Sequence, residues 1–281
     1  MSPSADSIEN RYQILEQLGE GSMATVYKAF DTRLERYVAI KVFLPLWRDA
    51  NRFLKHFEQV AKTLAGLSDP NLVKVLDYGE QEGSPHLITE YLPGGTLKRR
   101  LGKPIPWQEA LSIIIPIAGA LAYIHENKII HRDVKPSNIL MTDSGEPMLS
   151  DSGIAEIMEA EETLDSSSTG IGFGMPAYMS PEQTFGKRVD IRSDIYSLGV
   201  VFYEMVTGRK PFEADTPMAT LMKHMASPLP EPTQFISALP NGVEKAILRA
   251  LAKRPEDRFQ DMHRFEAVLR HLLDDKLAAV P

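Results

Sequence analysis

The sequence has 281 residues, of which 43% are hydrophobic and 25% are charged, a composition typical of a globular protein with one or two compact domains. It contains no cysteine, which excludes disulfides, thiol chemistry and zinc–thiolate sites. A formal net charge of −7 disfavours nucleic acid as the main partner, because that binding depends on Lys and Arg neutralising phosphates.

No apolar run approaches the roughly 20 residues that span a bilayer, and the first residues do not resemble a secretion signal. The sequence therefore predicts a soluble, cytoplasmic protein with no membrane segment.

The first predicted element, after a polar tail over residues 1–11, is a β-hairpin. Alternating apolar side chains predict strands over 12–18 and 25–30. The connection contains Gly19 and Gly21, and glycine lets backbone N–H groups approach a phosphate closely. A plain hairpin without a ligand explains the same Gly-x-Gly spacing equally well. The strand that follows argues against a dinucleotide-binding fold, which needs a helix after its glycines.

Lys41 lies in a third apolar strand, over residues 37–42. A lysine in such a strand is most often an edge residue with its ammonium group in water. Beside a glycine-bearing hairpin, a contact with nucleotide phosphates is the better interpretation.

The following segment predicts an amphipathic helix. Its apolar residues, spaced three or four positions apart, are Phe53, Phe57, Val60, Leu64 and Leu67. Two more strands are predicted over 72–78 and 86–91, and a long apolar helix over 107–127.

Residues 131–138 form a polar segment between the apolar runs 129–130 and 139–141, for which two short buried strands are predicted. Asp133 is a potential proton acceptor, and Asn138, five residues later, is a potential metal ligand. A solvated surface loop is the alternative interpretation. Further along, residues 154–180 are rich in Glu, Ser and Gly and predict a mobile segment.

Three motifs resemble the protein kinase family, and bacterial Ser/Thr kinases in particular. Residues 131–138 follow the pattern H-R-D-x-K-x-x-N, residues 38–41 spell V-A-I-K, and residues 174–182 resemble G-T-x-x-Y-x-x-P-E. The resemblance covers about residues 12–273.

That resemblance implies an α+β, bilobal protein-kinase-like fold. The N-lobe, over 12–92, would hold a small antiparallel five-stranded sheet and one helix. The larger, mainly helical C-lobe would cover 93–273, followed by a C-terminal tail over 274–281.

The resemblance also implies roles for individual residues. Asp133 would accept the proton of the substrate hydroxyl, Lys135 would steady the transferring phosphoryl group, and Asn138 and Asp151 would hold Mg²⁺ or Mn²⁺. The residues expected to bind ATP are Leu18, Gly19, Gly21, Val26, Ala39, Lys41, Glu90, Leu92 and Leu140.

A second set of expected roles is structural or regulatory. Asp194 would anchor the backbone of the catalytic loop, residues 131–138, and Arg258 would pair with Glu182. Thr169 and Ser168 are the candidate phosphate acceptors, with Arg132 as the receiver of such a phosphate.

Three positions depart from the family pattern. Val60 stands where kinases carry the glutamate that pairs with the strand lysine, and Glu58 would lie on the opposite helix face. Ser152 replaces the phenylalanine of D-F-G, and Met175 replaces the threonine of G-T-x-x-Y-x-x-P-E.

Two hypotheses follow from these retained and altered motifs. The main one is a Ser/Thr protein kinase, weak or partner-dependent, that acts on protein Ser or Thr and is activated or dimerised by a protein partner. The alternative is a nucleotide-binding pseudokinase that serves as a signalling scaffold. A small-molecule phosphotransferase is disfavoured, because Glu182 and Arg258 belong to the pattern of protein-substrate kinases.

Overall fold

The chain folds into two compact units, seen here in a computed structural model. The first unit comprises residues 1–68 and 73–93, and the second comprises 69–72 and 94–281. The residues that the structure describes are 7–8, 11–21, 24–44, 50–152, 175–185 and 189–277.

A six-stranded antiparallel sheet forms most of the first unit. Its strands in chain order are β1 (Ser7–Ile8), β2 (Tyr12–Glu20), β3 (Ala24–Asp31), β4 (Arg36–Phe43), β5 (Val75–Gln81) and β6 (Ser84–Glu90). Their order across the sheet is β1-β2-β3-β4-β6-β5. Five strands are those predicted from the sequence, and β1 comes from the segment predicted to be a polar tail.

Strand β1 forms because its flanking side chains find buried partners. Ile8 is 2% exposed and belongs to the apolar cluster on one face of the sheet. Arg11 donates two hydrogen bonds to Asp31, at 3.0 and 2.8 Å, and a third to Asp77 at 3.0 Å. The Arg11 guanidinium holds the pKa of the buried Asp31 below its usual value. Tyr12 adds a hydroxyl hydrogen bond to Asp77 at 3.1 Å.

Helix α1 (Ala50–Ala65) packs against the sheet with a face slightly different from the predicted one. Its buried residues are Phe53, Phe57, Ala61 and Leu64. Val60 is only half-buried, and Leu67 lies beyond the end of the helix. At about 100° per residue, spacings of four, four and three keep the buried side chains in one stripe.

Five helices dominate the described part of the second unit. They are α2 (Trp107–Glu126), α3 (Ile191–Thr207), α4 (Pro217–Ala226), α5 (Asn241–Ala250) and α6 (Met262–Leu277). Helix α2 packs against α3 and α6, and most of its apolar side chains are buried there. By length and composition alone, α2 is a candidate membrane span, whereas the sequence was predicted to contain no membrane segment. Its burial is that of the core helix of a globular unit.

A two-stranded hairpin follows the polar segment 131–138. Its strands are β7 (Ile139–Met141) and β8 (Pro147–Leu149). The other strand predicted to flank this segment, over 129–130, does not form. The N–H of Ile129 instead donates to the Ile124 carbonyl at 3.0 Å, so this buried residue closes the end of α2.

Candidate active site

The backbone of residues 131–138 is fastened to helix α3 through Asp194. Its carboxylate accepts hydrogen bonds from the N–H groups of His131 and Arg132, both at 2.8 Å. The His125 ring nitrogen Nε2 lies 2.8 Å from the same carboxylate. Burial alone would raise the pKa of Asp194, but the hydrogen bonds from the His125 ring and the His131 N–H hold it below its usual value. Asp194 thus joins the backbone of His131 and Arg132 to helix α3.

His131 connects this segment to the end of strand β8. It is fully buried, and its Nε2 lies 2.8 Å from the Ser150 carbonyl oxygen, to which it must donate. Its Nδ1 accepts a hydrogen bond from the Asp133 N–H at 3.3 Å. The two contacts together indicate a neutral imidazole with its proton on Nε2.

Asp133 presents a carboxylate flanked by two donors. Lys135 Nζ lies 2.5 Å from Asp133 Oδ2, and Asn138 Nδ2 lies 3.1 Å from the same oxygen. The Asp133 side chain is 28% exposed, so a substrate hydroxyl can reach it. A half-exposed carboxylate beside an ammonium group suits proton acceptance next to a developing negative charge.

Asn138 and Asp151 supply the donor set that a hard cation prefers. The Asn138 amide NH₂ group donates to the Asp133 carbonyl oxygen at 2.9 Å and to the Asp133 carboxylate, so Oδ1 is directed away from Asp133. Asp151 adds a carboxylate on a backbone with φ of 64°. An amide oxygen and a carboxylate fit Mg²⁺ or Mn²⁺. Within the described ranges, no group of three or more His, Asp or Glu residues forms an alternative metal site.

The first unit holds most of the residues predicted to bind ATP, arranged by strand pairing. Val26 on β3 lies opposite Lys41 on β4, and Gly19 on β2 lies opposite Val26. Ala39 and Lys41 are half-buried and alternate with the fully buried Val38 and Ile40, so they occupy the other face of the sheet.

The remaining predicted ATP contacts are spread over both units. In the first unit, Leu18 is 43% exposed, and the Gly21 N–H donates to the Ala24 carbonyl at 2.9 Å. Glu90 closes β6 and accepts a hydrogen bond from the Lys74 N–H at 2.8 Å, and Leu92 follows it, half-buried. In the second unit, Leu140 lies half-buried in β7.

Comparison with known proteins identifies the family. The family model described as "Protein kinase domain" matches residues 12–272. This chain belongs to the protein kinase family.

Named relatives place the chain among bacterial kinases. A probable serine/threonine-protein kinase of Clostridium perfringens is 40% identical over 89% of this chain and 36% of its own length. Serine/threonine-protein kinase PrkC of Bacillus subtilis is 36% identical over 95% of this chain and 41% of its own length. The chain therefore spans about two fifths of these relatives.

A solved structure shares the fold. The kinase domain of PknI from Mycobacterium tuberculosis superposes with a TM-score of 0.74 at 25% identity, covering 96% of this chain and 99% of that chain. The predicted kinase fold is confirmed. The family as a whole uses ATP and a divalent cation and acts on proteins.

Kinases carry a buried ion pair between the P-E motif and a distant arginine, and this chain has it. Arg258 donates to both carboxylate oxygens of Glu182, each at 2.8 Å, and Ser193 Oγ donates to Glu182 at 2.6 Å. Arg258 is 1% exposed and Glu182 is 7% exposed. Burial alone would raise the pKa of Glu182, but the Arg258 guanidinium holds it below its usual value.

The positions that depart from the kinase sequence pattern lie in different environments. Glu58 pairs with Lys62 at 2.6 Å on the exposed side of α1, while Val60 is half-buried. Ser152 is buried, and its hydroxyl makes no hydrogen bond within the part of the chain that the structure describes. Met175 is 36% exposed. The candidate phosphate acceptors Thr169 and Ser168 lie outside the described residues.

A small cavity lies beside the catalytic loop in the second unit. It has a volume of about 220 Å³. Its lining includes Pro136 and Ser137 of the loop, Met175, Tyr178 and Glu204. Small-molecule sites typically occupy roughly 300–1,000 Å³, so this cavity suits a single side chain better than a nucleotide.

Sequence reasoning missed Gln183. Its Nε2 donates to the Arg132 carbonyl at 2.9 Å, across 51 positions of the chain. Gln183 directly follows the P-E dipeptide, and that position is the one signal that could have directed attention to it.

Proposed function

We propose that this chain is a Ser/Thr protein kinase domain, which transfers the γ-phosphoryl group of ATP to a Ser or Thr hydroxyl of a protein. The observation that carries this proposal is the convergence of Lys135 and Asn138 on one oxygen of Asp133. A base with a cation and a metal-ligand candidate beside it is the arrangement that phosphoryl transfer requires.

The proposed reaction is a direct displacement. The substrate hydroxyl oxygen bonds to the γ-phosphorus while the bond from that phosphorus to the β,γ-bridging oxygen breaks, and ADP leaves with the electron pair. Asp133 accepts the hydroxyl proton, and Lys135 places positive charge next to the transferring group. Lys41 orients the α- and β-phosphates, and the glycine hairpin at Gly19 and Gly21 covers them.

Asn138 and Asp151 would hold Mg²⁺, with Mn²⁺ as a substitute. When bound, the cation neutralises phosphate charge and aligns the leaving group. The adenine would lie against Leu18, Val26 and Ala39, with backbone groups of Glu90 and Leu92 as hydrogen-bonding partners.

Retention of these residues favours an enzyme over the pseudokinase alternative. Asp133, Lys135 and Asn138 keep their mutual contacts, and the relatives are named as kinases. The altered positions Val60 and Ser152 belong instead to alignment of the site, which supports a weak or partner-dependent activity.

Location and partners belong to the same proposal. We infer a cytoplasmic domain with protein substrates, an activating or dimerising protein partner, and phosphate acceptors at Thr169 and Ser168. Arg132, adjacent to Asp133, would receive that phosphate.

Phosphate incorporation from labelled ATP tests the function. The protein is incubated with Mg²⁺ or Mn²⁺ and a general basic protein substrate, beside Asp133→Asn. The matched control is Asp143→Asn, an exposed residue in the β7–β8 turn. We expect incorporation by wild type and the control, and a loss of at least about 100-fold in Asp133→Asn. Equal incorporation by all three proteins would overturn the assignment.

A further inference from the structure

The peptide group between Arg132 and Asp133 lies at a constrained position of the catalytic loop. Arg132 has φ of 64°, a left-handed conformation that residues other than glycine adopt infrequently. Such a conformation persists only when surrounding contacts hold it. Rotation of this peptide group would redirect the Asp133 side chain, because the Asp133 N–H belongs to the same plane.

Both sides of Arg132 are held by hydrogen bonds from outside the loop. The Arg132 N–H donates to Asp194 at 2.8 Å. The Arg132 carbonyl oxygen accepts from Gln183 Nε2 at 2.9 Å. Asp194 is the anchor predicted from the sequence, whereas Gln183 acts on the peptide group that leads directly into Asp133.

The Gln183 side chain is itself fixed in orientation. Its Oε1 accepts hydrogen bonds from the N–H and the Oγ of Ser180, both at 3.0 Å. Ser180 is completely buried. Two donors on one side of the amide identify its oxygen, so the NH₂ group must face Arg132.

We propose that Gln183 is a positioning residue for phosphoryl transfer. It ties the buried turn at Ser180 to the Arg132–Asp133 peptide group and so fixes the direction of the Asp133 carboxylate. This contact supports the catalytic loop in a chain where Met175 replaces the threonine of the family pattern. The inference rests on the proposed kinase function.

Gln183→Glu is the sharpest test because it is isosteric. The carboxylate still accepts from Ser180, but it cannot donate to the Arg132 carbonyl and repels it. We expect kcat to fall by about tenfold or more while KM for ATP stays within about twofold, the pattern of a misplaced catalytic group. An unchanged kcat would overturn the proposal.

Two further variants separate positioning from folding. Gln260→Glu is the matched control, because the Gln260 amide also donates to backbone carbonyls, those of Pro255, Glu256 and Arg258. We expect it to keep wild-type kcat, and an equal loss in both Glu variants would count against a specific role. Gln183→Met removes both halves of the contact in a side chain of similar length. It serves if Gln183→Glu fails to fold, and its kcat should fall in the same way.

Amide hydrogen exchange provides a readout that does not depend on activity. We expect faster exchange at Arg132 and Asp133 in Gln183→Glu, with unchanged exchange in the core of α2. If wild type transfers no phosphate, the proposed function fails while the exchange still tests the contact. If exchange rises and kcat does not fall, the positioning role is overturned and the kinase assignment stands.

Discussion

At the scale of single residues, the stability of the second unit depends on the guanidinium charge of Arg258, which is almost completely buried. All five N–H positions of Arg258 have acceptors nearby: besides Glu182, its guanidinium donates to the carbonyls of Ala252, Arg192 and Lys253. A buried ion pair of this kind adds little over an apolar pair, but losing one partner leaves an uncompensated charge. The pair therefore makes each partner necessary to the other.

We predict that Arg258→Met lowers the free energy of unfolding by about 3 to 5 kcal/mol, because Glu182 remains buried without its cation. Denaturant unfolding measures this change. Arg254→Met is the control, since Arg254 pairs with Glu256 in solvent, and we expect little change there. A double variant, Arg258→Met with Glu182→Leu, should recover part of the loss. Equal stability of Arg258→Met and wild type would contradict the prediction.

At the scale of elements, helix α1 carries its acidic residue on the solvent side. Glu58 and Lys62 are about half exposed and pair one helical turn apart. In kinases, a glutamate on this helix normally pairs with the lysine that corresponds to Lys41. In this chain, Val60 occupies the position of that glutamate. The pairing of Glu58 with Lys62 thus agrees with the alignment in which Val60 replaces that glutamate.

We predict that Glu58→Gln leaves phosphate transfer within about twofold of wild type, because an exposed i,i+4 pair contributes little. Lys62→Gln is the matched control and should behave in the same way. A large loss of activity in Glu58→Gln alone would show that Glu58 is the partner of Lys41 after all.

Helix α4 contributes a buried histidine that supports the turn at residues 176–178. His224 Nδ1 lies 2.8 Å from the Tyr196 hydroxyl, and its ring packs edge-on against Phe212. Burial, together with the charge of Lys253, lowers the pKa of His224 to about 4. The unfolded chain therefore binds a proton at a higher pH than the folded chain does.

The sign of the resulting pH dependence follows from linkage. A histidine with a depressed pKa in the folded state contributes stability above its unfolded pKa, near 6.5, and loses it as pH falls towards 4. We predict that the titration of His224 lowers the free energy of unfolding by about 2 kcal/mol when the pH falls from 7 to 5. In His224→Gln, the fall in unfolding free energy between pH 7 and pH 5 should be smaller by that amount. The control is His263→Gln, which changes an exposed histidine and should behave like wild type. An identical slope in His224→Gln and wild type would contradict the assignment.

The elements differ in how far the sequence could predict them. The contacts around Asp133 join residues within eight positions, so the local pattern was enough to bring Lys135 and Asn138 to it. Strand β1 was not predictable, because Ile8 is a single apolar residue in a polar segment and its burial depends on strands far along the chain. The contact between Gln183 and Arg132 is equally non-local. Ala61 replaced Val60 on the buried face of α1, since helical phase on the sheet, rather than side-chain size, decided which position was enclosed.

At the scale of the whole molecule, nucleotide binding and catalysis can be measured separately. A ligand that binds only the folded state raises the free energy of unfolding by mass action. Both the kinase and the pseudokinase hypotheses include nucleotide binding, so thermal stabilisation reports on the binding residues without requiring turnover.

We predict that ATP with Mg²⁺, at about 100 times its Kd, raises the free energy of unfolding by about 2.7 kcal/mol. Asp151→Asn should lose the Mg²⁺-dependent part of this gain, because it removes a carboxylate ligand. Asp143→Asn is the control and should respond like wild type. A wild-type gain that is the same with and without Mg²⁺ would remove Asp151 from the metal site.

The hydrogen bonds from Arg11 to Asp31 and Asp77 have a consequence for where this domain physically begins. The family match starts at residue 12, yet Ile8 fills the sheet core and Arg11 is the cation for the buried Asp31. A chain shortened to the start of the match would keep every catalytic motif. It would nevertheless leave the Asp31 carboxylate enclosed, with the N–H groups of Arg33 and Leu34 as its remaining donors among the described residues. The start of the family match and the start of the folded unit therefore differ by a few residues, and expression of the isolated domain should begin before Ile8.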